Sequence, residues 1–166
     1  MKDDSDMAFF LGLLNSKLFS YVQKIVNPTI NIQVKDIRIM PLIRENEDAI
    51  KTIEEEIVDS SKTDWDSFET SWDFVTHPFI TYRSGAGFAD IPMNKWQYRI
   101  ADAYHTWESN ATAQFDLLKK NEEELNRIFI DIYGLQDELT PEVEDKDVTV
   151  RKADLGRDIR SFISYA

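Results

Sequence analysis

Three acidic side chains in the middle of the chain, Asp64, Asp66 and Glu69, are spaced closely enough to gather a divalent metal ion. Hard cations such as magnesium bind oxygen ligands, and a metal held in this way would make the protein a small metal-dependent hydrolase. Helix capping explains Asp64 or Asp66 more simply, because an aspartate side chain accepts hydrogen bonds from free amide groups at a helix start. We therefore predict no metal site, and the hydrolase stays a hypothesis that calorimetry with magnesium, manganese or zinc tests.

Two short motifs match the loops of known enzymes only in part. Residues 27–30 read Asn-Pro-Thr-Ile, which begins like the Asn-Pro-Pro-Tyr loop of amino methyltransferases but lacks the aromatic residue that stacks on a flipped base. Residues 85–87 read Gly-Ala-Gly, but they run into the Ile-Pro pair at 91–92 and do not open a helix as a cofactor loop does. Both motifs are interpreted as turns, the second within a loop at 83–92.

The other chemically active residue types are isolated. His77 and His105 have no serine, cysteine or second histidine placed to complete a triad. Glu144 and Lys146 have the spacing of half of a nuclease motif, but the partner acid on a preceding core strand is missing. The sequence thus predicts no catalytic residue, no cofactor-binding residue and no metal ligand in this chain.

Basic residues are concentrated near the start of an acidic protein. The net charge is -12, but residues 9–44 carry +4 and residues 45–166 carry -14. Only the first stretch is suited to lie near a polyanion such as DNA. Four of its cations can converge on a phosphate backbone, and they are the predicted DNA-binding residues: Lys17, Lys24, Lys35 and Arg38. A solvated polar face is the alternative interpretation of the same residues.

Composition sets the class of protein and its compartment. The chain has 166 residues, of which 42% are hydrophobic and 12% aromatic, which is enough for a core. It has no cysteine, and no apolar run approaches the roughly 20 residues that cross a bilayer. The acidic residues 1–6 precede the apolar ones, which inverts the charge order of a secretory signal. We expect a cytoplasmic protein that does not contact a membrane.

The first 44 residues predict a helix followed by an extended segment. Apolar residues between 7 and 26 recur at spacings of three and four, which is typical of an amphipathic helix, and Asn27-Pro28 ends it. Residues 30–39 then alternate between apolar and polar types, which is the period of a half-buried strand or an extended arm. Minor β structure is therefore expected near 30–40.

The rest of the chain predicts further helices. Residues 45–61 have one apolar seam, and 63–79 concentrate aromatic residues that we interpret as a structural plug. The strongest signal is one very long helix from about 94 to 134, weakest at 110–112 and closed by Gly134. An acidic link, a brief strand at 148–150 and a last helix at 153–166 follow. The predicted fold class is mainly α, built from amphipathic helices.

Four stretches of the sequence, at 10–17, 27–37, 63–74 and 121–135, resemble the C-terminal part of the BREX-type adenine-specific DNA methyltransferases. These phage-exclusion enzymes are relatives of the fused type II restriction-modification enzymes. The resemblance implies a parent with an N-terminal S-adenosylmethionine-dependent catalytic domain, then a target-recognition region, then helical spacers. This chain has neither the glycine motif nor Asn-Pro-Pro-Tyr, so a truncated gene or an excised segment without its own cofactor is expected.

The resemblance also implies a division of the chain. Residues 1–44 are expected to end the target-recognition region, 45–136 to form a helical spacer with the aromatic cluster, and 137–166 to form an acidic linker and the start of a truncated C-terminal helical segment. We expect a non-catalytic fragment that contributes DNA recognition and spacer architecture to a restriction-modification or phage-defence methyltransferase. The alternative is an independent helical interaction module that associates with itself or another protein through the long helix.

Overall fold

The computed structural model describes residues 4–29, 31–82 and 100–166, and within these ranges its regular structure is entirely helical. The prediction of a mainly α protein with one very long helix is confirmed. The predicted loop at 83–92 and the start of the long helix at 94–99 lie outside the described residues. The helices are α1 (Asp4–Asn15), α2 (Lys17–Val26), α3 (Val34–Arg38), α4 (Glu47–Asp66), α5 (Pro78–Thr81), α6 (Ile100–Tyr133) and α7 (Leu155–Tyr165). None of them is long and apolar enough to span a membrane.

The chain divides into two compact units, and the described residues of Met1–Asp59 and Leu118–Asp147 form the first. The rings of Phe9 and Phe129 meet edge to face in its core, with centroids 5.8 Å apart. The buried side chains come from α1, α2, α4 and the C-terminal half of α6. They are Phe9, Leu13, Leu18, Ile50, Leu125 and Phe129.

The described residues of Ser60–Leu117 and Val148–Ala166 form the second unit. The Trp107 Nε1–H donates to Oδ2 of the buried Asp158 at 3.0 Å, and the Asp154 amide donates to the same oxygen at 3.0 Å. These bonds attach α7 to α6 through a carboxylate whose burial is compensated. The core of this unit consists of Phe68, Phe79, Ala103, Tyr104, Trp107 and Ala111.

His77 is buried in the second unit, where it begins α5. Its Nδ1 accepts a hydrogen bond from the Phe79 amide at 3.2 Å, and its ring lies 4.8 Å from the ring of Phe79 and 5.2 Å from that of Phe162. Burial lowers the pKa of His77, and the nearby Asp158 opposes this effect. The imidazole therefore acts as a helix cap, which requires the neutral form as acceptor.

The aromatic segment at 63–79 is only partly the plug that its composition predicts. Phe68 and Phe79 are buried in the second unit, but the Trp72 side chain is fully exposed and Trp65 is 54% exposed. The brief strand predicted at 148–150 is absent from these described residues, although Val148 and Val150 are buried. Val148 and Val150 are therefore core residues of a segment without strand pairing, and the strand prediction is wrong.

The single helix predicted from 7 to 26 is two helices, α1 and α2, which meet at Ser16. The Ser16 Oγ–H donates to the Leu13 carbonyl at 2.7 Å, and Oγ accepts from the Phe19 amide at 3.2 Å. Serine at this position caps the start of α2 and so competes with continuation of α1. The apolar stripe did not reveal the break because it continues through both helices.

The β structure predicted near 30–40 is wrong, because residues 34–38 form the helix α3. The Gln33 amide donates to Asp36 Oδ2 at 3.0 Å, which fixes the helix start. The apolar members of the alternating pattern, such as Val34 and Ile39, are exposed at 67% and 61% and do not face a sheet. Alternation predicts a strand only where one side is buried against the rest of the molecule.

The remaining helix predictions are confirmed with shifted ends. The helix predicted at 45–61 is α4, which continues to Asp66, and the last predicted helix is α7, with Asp154 as its N-cap. The long helix α6 runs without a break through 110–112. Gly134 closes it with a φ of 65°, a left-handed conformation that glycine adopts without strain.

Candidate nucleic-acid interface

The turn between α2 and α3 is organised by the side chain of Asn27, the C-cap of α2. Its Nδ2 donates to Asp36 Oδ2 at 2.7 Å and to the Asn31 carbonyl at 3.0 Å, while its Oδ1 accepts from the Thr29 amide at 3.1 Å. One side chain therefore closes the turn and holds α3 at the end of α2. Residues 27–29 form the turn that was the simpler interpretation of the Asn-Pro-Thr motif.

Asp36 is the acidic residue of this turn, and it is buried. The hydrogen bond from the Asn27 side chain and that from the Gln33 amide hold the pKa of Asp36 below its ordinary value. Its negative charge is therefore compensated by hydrogen bonds within the turn. The exposed charges on residues 24–38 are those of lysine and arginine.

Three of the four predicted DNA-binding residues lie at this turn. Lys24 is in the last turn of α2, and Lys35 and Arg38 lie on α3, three residues apart and hence on the same side of the helix. All three are exposed. Because Asn27 ties α3 to the end of α2, the structure brings these three side chains to one end of α2.

Lys17 is placed differently, at the start of α2. Its Nζ donates to the Glu142 carbonyl, and its backbone amide donates to Asn126 Oδ1 at 2.9 Å. It lies seven residues before Lys24, about 10 Å along the helix axis. The structure therefore does not group Lys17 with the other three, and its ammonium group is engaged within the first unit.

Arg44 belongs to the same basic stretch but is bound to carboxylates. Its guanidinium contacts Asp6 at 2.6 Å and also Glu47, and these partners raise its pKa further above its ordinary value. It also lies over the ring of Phe9, 5.5 Å from the ring centroid. Arg44 therefore links the start of α4 to α1 through its ion pairs.

The acidic residues of the candidate metal site are used in protein contacts. Asp66 binds Lys62 and accepts from the Ser71 hydroxyl at 2.6 Å, and Asp64 lies 3.6 Å from Arg151. Glu69 is exposed. Within the residues that the structure describes, no group of three or more metal-binding side chains lies close enough together to hold an ion.

Glu54 is a buried carboxyl group that the sequence analysis did not identify. It is only 2% exposed, and its Oε2 has no hydrogen-bond partner. A Cβ placed on Gly12 would lie 3.2 Å from this oxygen and 3.3 Å from Leu125, so the carboxyl group sits where α1, α4 and α6 meet. Burial, with a smaller contribution from Glu122, raises the pKa of Glu54 to about 7.

No protein-family model matches the chain. Two curated proteins are similar to it. The adenine-specific methyltransferase PglX of Lacticaseibacillus casei (strain Zhang) is 41% identical over 163 residues, which are 98% of this chain and 13% of that protein. The adenine-specific methyltransferase BrxX of Escherichia coli O9:H4 (strain HS) is 25% identical over 142 residues, 86% of this chain and 10% of that protein.

The chain is similar over nearly its whole length to one segment of the BREX-type adenine-specific methyltransferases, and it corresponds to a fragment of such a protein. The resemblance stated from residues 10–17, 27–37, 63–74 and 121–135 is confirmed. The chain spans about an eighth of the length of the relative that it matches at 41% identity.

Proposed function

We propose that this chain is a non-catalytic part of a DNA adenine methyltransferase of a phage-defence or restriction-modification system, and that it contributes DNA contacts and spacing. The alignment of 98% of the chain with one segment of a methyltransferase carries this proposal. Adenine methylation, the use of S-adenosylmethionine and a cytoplasmic location are proposed for the parent protein. We also propose the division of the chain into the end of a target-recognition region (1–44), a helical spacer (45–136) and an acidic linker with the start of a further helical segment (137–166).

The DNA-contacting surface is proposed to be the exposed cations of the α2–α3 turn. Lys24, Lys35 and Arg38 lie on a turn whose backbone is fixed by Asn27, so their side chains present positive charge from a stable base. Phosphate contacts of this kind position a protein on DNA without reading its sequence. Lys17 is proposed to contribute less, because a carbonyl of the protein already occupies its ammonium group.

The spacing role is proposed for α4 and α6. α6 has 34 residues and is about 50 Å long at 1.5 Å per residue. Its apolar side chains contribute to the core of the first unit and to the core of the second. Such a helix is suited to hold two parts of a large enzyme at a fixed separation.

Fluorescence anisotropy with a labelled DNA duplex at about 50 mM salt tests the DNA-contacting surface, because phosphate contacts are strongest at low salt. The test variant carries Lys24→Glu, Lys35→Glu and Arg38→Glu, and we expect it to lose DNA binding. The matched control carries Lys120→Glu, Lys146→Glu and Arg160→Glu, which changes the net charge equally at other exposed positions. Equal loss of affinity in both variants would show that net charge and not this surface binds DNA.

The second candidate function is an independent helical interaction module. The observation that favours it is the set of exposed aliphatic side chains around α3, including Val34 and Ile39. A tight dimer in sedimentation, together with no affinity for DNA at low salt, would support this candidate and contradict the first.

A further inference from the structure

The stretch from residue 25 to 43, here called the apolar arm, carries an unusual number of exposed aliphatic side chains. Single apolar side chains are common on protein surfaces, but a concentration of them marks a contact with another protein. The exposed fractions on the arm range from 36% to 67%. These side chains are Ile25, Val26, Ile32, Val34, Ile37, Ile39, Leu42 and Ile43.

The apolar and basic side chains of the arm occupy different sides of α3. At 100° per residue, Val34 and Ile37 form one side of the helix, and Lys35 and Arg38 form another whose centre is about 100° away. Asp36 points to the remaining side, where it binds Asn27. The arm can therefore contact DNA with its cations while a second partner covers its aliphatic side.

The charges of the arm argue against a second copy of the chain as that partner. A symmetric dimer places each surface against its own copy, and Lys24, Lys35 and Arg38 would then face like charges. Asp36, the acid of the same stretch, is buried and already accepts two hydrogen bonds. A partner surface that is apolar and carries no cations avoids this repulsion and leaves Lys24, Lys35 and Arg38 free to contact DNA.

We propose that the apolar arm docks on the part of the methyltransferase polypeptide that lies outside the aligned segment, against an aliphatic surface that carries no cations. This inference rests on the proposed function, since it takes the chain to work within a methyltransferase. The related proteins supply the reason for choosing this occupant. The aligned segment makes up 13% of one relative and 10% of the other. In each relative the rest of the protein is therefore covalently attached to this segment and is present at high local concentration.

Limited digestion with trypsin measures the docking, because Lys24, Lys35 and Arg38 are cleavage sites at the arm or directly beside it. One sample is this chain alone, and the other is the Lacticaseibacillus casei relative carrying this chain in place of the segment it aligns with. We expect cleavage at these sites to be at least about ten-fold slower in the second sample, since the docked arm must open before it is cut.

The specificity of docking is tested in the same hybrid protein with two matched triple variants. Ile32→Ser, Val34→Ser and Ile39→Ser remove exposed aliphatic groups of the arm, and we expect them to abolish the protection. The control is Val58→Ser, Val75→Ser and Ile163→Ser, which removes exposed aliphatic groups elsewhere and leaves the arm protected. Protection that survives the arm variant contradicts the proposal.

A second comparison does not depend on how the hybrid protein folds. The intact Lacticaseibacillus casei relative and its excised aligned segment are digested side by side, and equal cleavage of the segment in both overturns the proposal. The arm serine variant of this chain is also titrated with DNA and keeps its affinity. If DNA binding is absent while protection is present, the DNA-contacting surface is wrong and the docking surface stands.

Discussion

Substitution of Glu54 by glutamine is expected to remove the loss of stability that the first unit shows as the pH rises from about 4.5 to 7. The pKa of Glu54 is raised to about 7 in the folded protein, whereas an unfolded glutamate titrates near 4.5. Below the unfolded pKa both states are protonated and the folded state carries no penalty. As the pH rises from 4.5 to 7, only the unfolded state ionises, so stability falls; above 7 both are ionised and the loss is complete.

The size of this loss follows from the difference between the two pKa values. Each pKa unit corresponds to about 1.36 kcal/mol, so a difference of about 2.5 units costs roughly 3 kcal/mol of unfolding free energy by about pH 8. Glu54→Gln stays neutral and removes this dependence, although an uncharged amide at the same place also lacks a partner for its polar atoms. We expect the variant to be less stable than the original near pH 4.5 and about 2 kcal/mol more stable at about pH 8.

Urea unfolding followed by circular dichroism between about pH 4.5 and 8.5 measures the effect, and hydrogen exchange at the Phe9 and Leu13 amides assigns it to α1. Glu55→Gln is the matched control, because Glu55 is the next residue on α4 and its side chain is 63% exposed. The control is expected to keep the original pH dependence. If Glu54→Gln also keeps it, the reasoning from the buried carboxyl group is refuted.

Three further changes test the fold. The stability of the second unit is expected to fall as the pH drops below about 6.5. Burial lowers the pKa of His77 in the folded protein, so only the unfolded state gains the proton at first. Urea unfolding followed by tryptophan fluorescence measures this stability, and a flat profile in that range contradicts the prediction. Gly134→Ala is expected to lower the free energy of unfolding by about 1 kcal/mol, because residue 134 has a φ of 65°. Gly156→Ala within α7 is expected to raise it by about 0.5 kcal/mol. Thermal melts in which both variants shift in the same direction would contradict this pair of expectations. Ser16→Ala is expected to cost about 1 kcal/mol by removing the cap of α2, with Ser20→Ala, an exposed site, as a control that changes stability little.

The helices were predictable because their apolar residues recur with the period of a helix that has one buried side. Glu54 was not recognised, although the same period contains the signal. It lies four residues after Ile50 and three before Ile57, which places it on the apolar seam of α4. Its membership in a run of three glutamates suggested a solvated surface and concealed this position.

The β structure predicted near 30–40 was wrong for another reason. The alternating residues there have a strand-like composition. The Asp36 side chain accepts a hydrogen bond from the Gln33 amide and so stabilises a helix locally. The described residues contain no sheet with which an extended segment could pair. The hydrogen bond from the Lys17 ammonium group to the Glu142 carbonyl likewise could not be predicted from the sequence, since 125 residues separate the two. Contacts across such distances depend on the tertiary fold and leave no periodic signal.

The salt dependence of DNA binding tests the central claim most directly. With Lys24, Lys35 and Arg38 on phosphates and Lys17 held by the protein, the logarithm of the association constant is expected to fall against the logarithm of salt concentration with a slope of about -2.7. The dissociation constant then rises about 40-fold between about 50 and 200 mM salt. A slope of about -3.6 would mean that Lys17 also contacts DNA. A slope near zero, or one left unchanged by reversal of the three charges, would contradict the claim that this turn binds DNA.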